Sequence, residues 1–91
     1  MKDIEIAINC GYHIDNDGNV LDKEEKKVKT SIKSGSYIIF CFTYLKKKYR
    51  IYASRLQSYK KFGEKSFNEN VAYVNGNSLD CSYDNIILRS I

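Results

Sequence analysis

Ninety-one residues, 43% of them hydrophobic and 29% charged, give one domain and one modest core, because a chain this short buries only about two thirds of its unfolded surface. A second domain is excluded, and the composition is that of a folded chain, not a disordered one. The net charge of +4 is unevenly placed: residues 1–45 carry six Lys against seven acids, residues 46–91 nine Lys or Arg against four.

In chain order, IEIAIN at residues 4–9 alternates Ile with other residues and reads as a short strand. Tyr12-His13-Ile14 and Val20-Leu21 flank Asp17-Gly18, a pair that tolerates the positive φ of a tight turn, so residues 12–22 are expected to form a small hairpin. The charged DKEEKKVKTSIKSG that follows reads as an exposed connector with a short paired stretch near Val28. Residues 37–44 are dense in β-branched and aromatic side chains, which predicts a central strand covered on both faces, with Ile38, Phe40, Phe42 and Tyr44 on one side. LeuLysLysLys then turns into an antiparallel partner that places Tyr49 and Ile51 on one face and Arg50 and Tyr52 on the other. Tyr52, Leu56, Tyr59 and Phe62 fall at helical spacing, which predicts a helix over about 54–62, capped by Ser54 and stopped by Gly63. Asn75-Gly76 marks a last turn before a returning strand at 86–88.

Cys10, Cys41 and Cys81 are odd in number and widely spaced, which suggests neither a disulfide framework nor a CxxC-type metal site; buried free thiols are expected. His13 is the single histidine, and one imidazole without a ligand cluster does not make a metal site. A Gly-x-Ser-x-Gly motif and a phosphate-cradling Gly loop are both missing from the sequence, so no cofactor is expected. The apolar run at 37–45 is far short of the roughly 20 residues a membrane helix needs. The opening residues carry no secretory cleavage site, and the expected location is the cytoplasm.

The run from GYHIDNDGNV through SGSYIIFCF and KKYRIYASRLQSYKKFGE to VAYVNGNSLDCSYDNIILRS resembles the HNH homing endonucleases of phages and mobile introns, over about residues 11–90. Tyr12, Ile14, Asn16, Gly18 and Val20 fit the family's first motif. Arg55-Leu56 fits the strand-to-helix step, with Ser54 where the family has histidine. Val71, Asn75, Gly76, Asn77, Asp80, Asn85 and Ile86 fit its ββα-metal hairpin. The resemblance implies a small α+β domain of antiparallel strands and hairpins with one packed helix: an N-terminal strand, hairpin and connector at 1–35, a strand pair and helix at 36–63, and the HNH-like hairpin at 64–91.

The departures fall on the chemistry. Where the family has a general-base histidine this chain has Tyr73, and where the family has a metal-holding side chain it has Ala72; a phenol with a pKa near 10 and a methyl group cannot do those jobs at neutral pH. The sequence ends at Ile91, short of the helix that carries a further ligand in the family. Asn85 alone matches an active-site position, and a turn-capping role is expected for it. Asp80 and Asp84 read as turn formers bonded to local backbone.

An enzyme is therefore not expected. The leading expectation is a non-catalytic DNA-binding protein, because residues 46–65 hold Lys46, Lys47, Lys48, Arg50, Arg55, Lys60, Lys61 and Lys65 against Glu64 alone, interleaved with tyrosines. The alternative is a protein-binding inhibitor or modulator of a host or defence enzyme, built on the same inactive frame. Edge strands of a small sheet also invite homodimerisation.

Overall fold

The computed structural model describes residues 2–89. Its first element is a helix, α1 (Lys2–Asn9), which corrects the strand expected there. Ile4, Ile6 and Ile8 alternate in sequence, but the positions that reach the core are Ile4 and Ala7, three apart, while Ile8 is largely exposed. Asp3 and Glu5 lie in the first turn, where the helix dipole favours acids, and Ala is the best helix former.

The hairpin that follows pairs β1 (His13–Ile14) with β2 (Val20–Leu21). Its loop is longer than a two-residue turn. The Asp15 carboxylate accepts hydrogen bonds from the backbone N–H of Asp17 and Asn19 and from the Asn19 amide, which organises residues 15–19. Gly18 has φ +92°, and a Cβ there would stand 2.8 Å from the Cys81 carbonyl carbon, so the loop packs directly on a distant backbone.

Asp22 repeats the same device on Glu24 and Lys26, and Val28 N–H donates to the Val20 carbonyl, which is the paired stretch expected near Val28. The connector is not wholly a loop. Residues Ser31–Lys33 form an edge strand, β3, on β4 (Tyr37–Tyr44), which in turn pairs with β5 (Lys47–Tyr52). β3 escapes a hydrophobic-pattern reading because neither of its faces is buried, and Ile32 is 56% exposed.

β4 is the central strand of this sheet, as expected, but it is not covered on both faces along its length. Phe40 and Phe42 are buried on the inner face; on the outer face Ile39 is buried while Cys41 and Thr43 are exposed. Cys41 is thus an exposed thiol, Cys10 is half-buried and Cys81 alone is buried. The tip of the β4–β5 hairpin is Leu45-Lys46, both at positive φ, so Lys47 and Lys48 belong to the strand and not to the turn.

Helix α2 (Ala53–Phe62) leaves β5 with no intervening loop, so Ser54 lies inside it, buried, and does not cap it. Gly63, at φ +69°, ends it as expected. A 3-10 segment, Gly63–Asn68, leads into a third ribbon, β6 (Asn70–Tyr73) against β7 (Ile86–Arg89). The three sheets have two, three and two strands, and α2 touches all of them. The core gathers Ile4 and Ala7 from α1, Ile14 and Val20 from the first hairpin, Phe40, Phe42 and Ile51 from the sheet, and Leu56 from α2. Tyr12 packs its ring 5.5 Å from Phe40 and 5.0 Å from Phe42.

Candidate nucleic-acid interface and the tyrosine pocket

The eight cations of residues 46–65 separate into two groups. Three on α2 are tied to the protein's own oxygens. Lys60 Nζ donates to the Ile14 carbonyl at 2.8 Å and to Asn16 Oδ1 at 3.0 Å. Lys61 Nζ donates to the carbonyls of Tyr83 at 2.8 Å and Ile86 at 3.1 Å, and both ammonium groups face the Tyr83 ring. Arg55 Nη1 donates to the carbonyls of Ser66 and Glu69, each at 3.2 Å. Between them lies Gln57, fully buried, whose Nε2 donates to the carbonyls of Asp15 and Cys81. This helix face therefore clamps the first and last ribbons together, and its lysine bonds, being charge-assisted, are stronger than neutral ones.

The other five, Lys46, Lys47, Lys48, Arg50 and Lys65, are exposed. The ion pairs among the described residues are His13–Glu25 and Lys26–Glu24, so no acid neutralises them. Lys46 to Lys48 crown the β4–β5 tip, with Lys47 Nζ 5.2 Å from the Tyr49 ring. Register places Lys48 opposite Thr43 and Arg50 opposite Cys41 on the outer face of the sheet.

The HNH-like hairpin is held by its own polar side chains. Gly76 supplies the turn at φ +75°. Asn85 is buried; its Oδ1 accepts from Asn75 N–H at 3.0 Å and its Nδ2 donates to the Asp80 carbonyl at 2.9 Å, which is the capping role expected. The Asp80 carboxylate accepts from Ser82 and from the Asn75 amide, and these bonds lower its pKa. Burial pushes the Cys81 thiol up to about 11, so it stays protonated.

The two positions where the family resemblance sets histidines, Ser54 and Tyr73, come together on one cavity of about 320 Å³, which Tyr37, Tyr52, Arg55 and Asn70 also line. Burial raises the Tyr73 pKa, against a smaller lowering by the Ser54 hydroxyl, so the phenol is neutral at pH 7. Ala72 sits across from Ile87 on the opposite face of the ribbon. A hard divalent cation wants carboxylate or carbonyl oxygens, and a zinc-like ion imidazole or thiolate. The cavity offers phenols, the Ser54 hydroxyl, a single amide from Asn70 and the Arg55 cation, with no carboxylate, imidazole or thiol; Asn85 has both ends of its amide engaged, and no group of three His, Cys, Asp or Glu side chains gathers among the described residues. These residues do not fit the metal that the resemblance implies.

Lys33 and Tyr37 were not singled out from sequence, whereas Tyr52 stands among the tyrosines interleaved with the cations of residues 46–65. Tyr52 shares the Arg50 face by strand alternation, but Lys33 and Tyr37 join it only through the pairing of β3 with β4.

No protein-family model and no curated protein matches the sequence. Among solved structures the fold is similar to that of the HNH homing endonuclease I-HmuI, a structure described in terms of DNA binding and cleavage, with a TM-score of 0.70 and 20% identity over 88% of this chain. The chain spans 47% of that one. The likeness is one of fold: a small α+β arrangement of antiparallel ribbons around α2, with HNH-like topology.

Proposed function

We propose that the chain binds nucleic acid without cleaving it, through the crown of the β4–β5 hairpin and the outer face of its sheet. One observation carries this reading: Lys46, Lys47, Lys48 and Arg50 are exposed with no acidic partner within ion-pair distance among the described residues. Surface lysines also guard sheet edges, but Arg50 lies at the part of β5 that α1 already borders. Arg55, Lys60 and Lys61, which sequence adds to the same surface, are engaged by backbone carbonyls, although Arg55 also lines the cavity beside Tyr37 and Tyr52. Phosphate contact of this kind gives affinity without choice of sequence. The location proposed for this activity is the cytoplasm.

The test is fluorescence anisotropy with labelled DNA across a salt series. Four phosphate contacts predict that affinity falls on the order of 100-fold between 50 and 200 mM salt. Replacing Lys46, Lys47 and Lys48 with Gln should flatten the log–log slope by nearly three, whereas Lys60→Gln should act mainly on stability. Absence of any binding at 50 mM salt would reject the proposal.

A further inference from the structure

Resting on that reading, we infer that the polymer is single stranded, that it runs along the outer face of β4 and β5, and that one of its bases stacks on Tyr37.

Strand alternation fixes the geometry. Lys48, Arg50 and Tyr52 are next-but-one neighbours on β5, so their side chains recur about every 7 Å along one face, the scale of a nucleotide step in an extended strand. Their cross-strand partners at the first two steps are Thr43 and Cys41, both small, which leaves the sheet surface between the cations open. Asp3 shares a small pocket with Arg50 and bounds the positive face on the α1 side.

The track ends on an aromatic platform. Tyr37 and Tyr52 lie nearly parallel, with ring centroids 5.6 Å apart and planes 7° from each other. Lys33 Nζ stands 5.5 Å from the Tyr52 ring and donates to its hydroxyl at 3.2 Å, so the platform carries its own positive charge. Tyr37 is 40% exposed. The turn that carries it is steadied from the far ribbon, because the Ser78 hydroxyl donates to the Ser36 carbonyl. A fixed ring pair whose outer member, Tyr37, is exposed while Tyr52 is half-buried gives an unpaired base a face to stack on beside cations, and such stacking is sequence tolerant because every base has a π-face. Beyond Tyr37 and Tyr52, the cavity that they share with Tyr73 offers the Ser54 hydroxyl and the Asn70 amide to a base edge.

A duplex cannot use this platform, since its base faces are hidden in the stack. The major groove admits a helix or a two-stranded ribbon, and here the ribbon is broadened by β3 on one side and α1 on the other.

The experiment compares three labelled ligands of about 12 nucleotides on the full chain at 50 mM salt: oligo-dT, the same backbone with abasic sites, and a duplex. Oligo-dT should bind most tightly, with the abasic strand weaker on the order of 10-fold. Tyr37→Ala should lower oligo-dT affinity by a similar factor, and Val74→Ala, at an exposed apolar residue beside the turn of the β6 ribbon, should leave it unchanged; circular dichroism confirms that both fold. The wild-type comparison decides the matter if Tyr37→Ala does not fold. Equal affinity for the abasic strand, or equal losses in the two variants, overturns the inference. Duplex bound as tightly as oligo-dT overturns it and leaves the phosphate-binding proposal standing, while no binding to any of the three removes both.

Discussion

Leu45 and Lys46 hold φ of 50° and 65° at the β4–β5 tip, the left-handed pair that a two-residue hairpin turn demands and that Asn-Gly fills at least cost. Each side chain there pays about 1 kcal/mol relative to a residue suited to the region. The double variant Leu45→Asn, Lys46→Gly should therefore stabilise the protein by about 2 kcal/mol, an increase in Tm of roughly 10 °C by thermal melt. Under the proposed function the same change would remove one phosphate contact and reduce the salt slope by about one. A tip that is strained, 80% exposed at Leu45 and crowned with lysines is legible as a charge cluster in sequence. Its strain is not, because nothing in LeuLysLysLys announces which two of the four residues make the turn.

At the scale of elements, α2 carries two jobs on two faces: Leu56 goes into the core, while Gln57, Lys60 and Lys61 hold the backbones of the first and last ribbons. Lys61→Met leaves the carbonyls of Tyr83 and Ile86 short of a donor and should cost about 1–2 kcal/mol, a fall in Tm of about 5–10 °C. Lys65→Met, at an exposed cation outside the clamp, should change stability by less than about 0.5 kcal/mol. The helix itself, the central strand, its partner and both turn-marked ribbons were legible, because spacing and turn chemistry report local structure. Three features were not. α1 reads as a strand because its isoleucines alternate, and only packing shows that Ile4 and Ala7 are the buried pair. β3 has no apolar pattern since it lies at an open edge. The Lys60 and Lys61 bonds are to carbonyls more than 20 residues away, so a run of cations that looks uniform in sequence divides by tertiary contact alone.

For the whole molecule, the HNH-like frame and the identity of the residues in its cavity pull in different directions. The frame brings Ser54 and Tyr73 to one place, as the family motifs imply; the groups delivered there are a hydroxyl and a neutral phenol. Supercoiled plasmid incubated with Mg²⁺ or Mn²⁺ should accordingly remain uncut. Nicking that persists in purified protein and disappears in Tyr73→Phe would show that the cavity works by a chemistry other than the one its side chains suggest. Sequence matched Ser54 and Tyr73 to two separate motifs without joining them, and the tyrosine platform beside them was not legible either, since Tyr37 and Tyr52 meet only across strands.

Hanging three small sheets on one helix also has a kinetic side. Ribbons with strands of two and four residues do not persist alone in water, so neither terminal ribbon can wait, preformed, for the rest of the chain. The middle sheet and the helix that leaves it directly are contiguous in sequence and must form the nucleus, with the two ends of the polypeptide settling onto it late. Freshly made chains would then pass through a stage in which β4 and β5 are already paired while the outer ribbons are still loose.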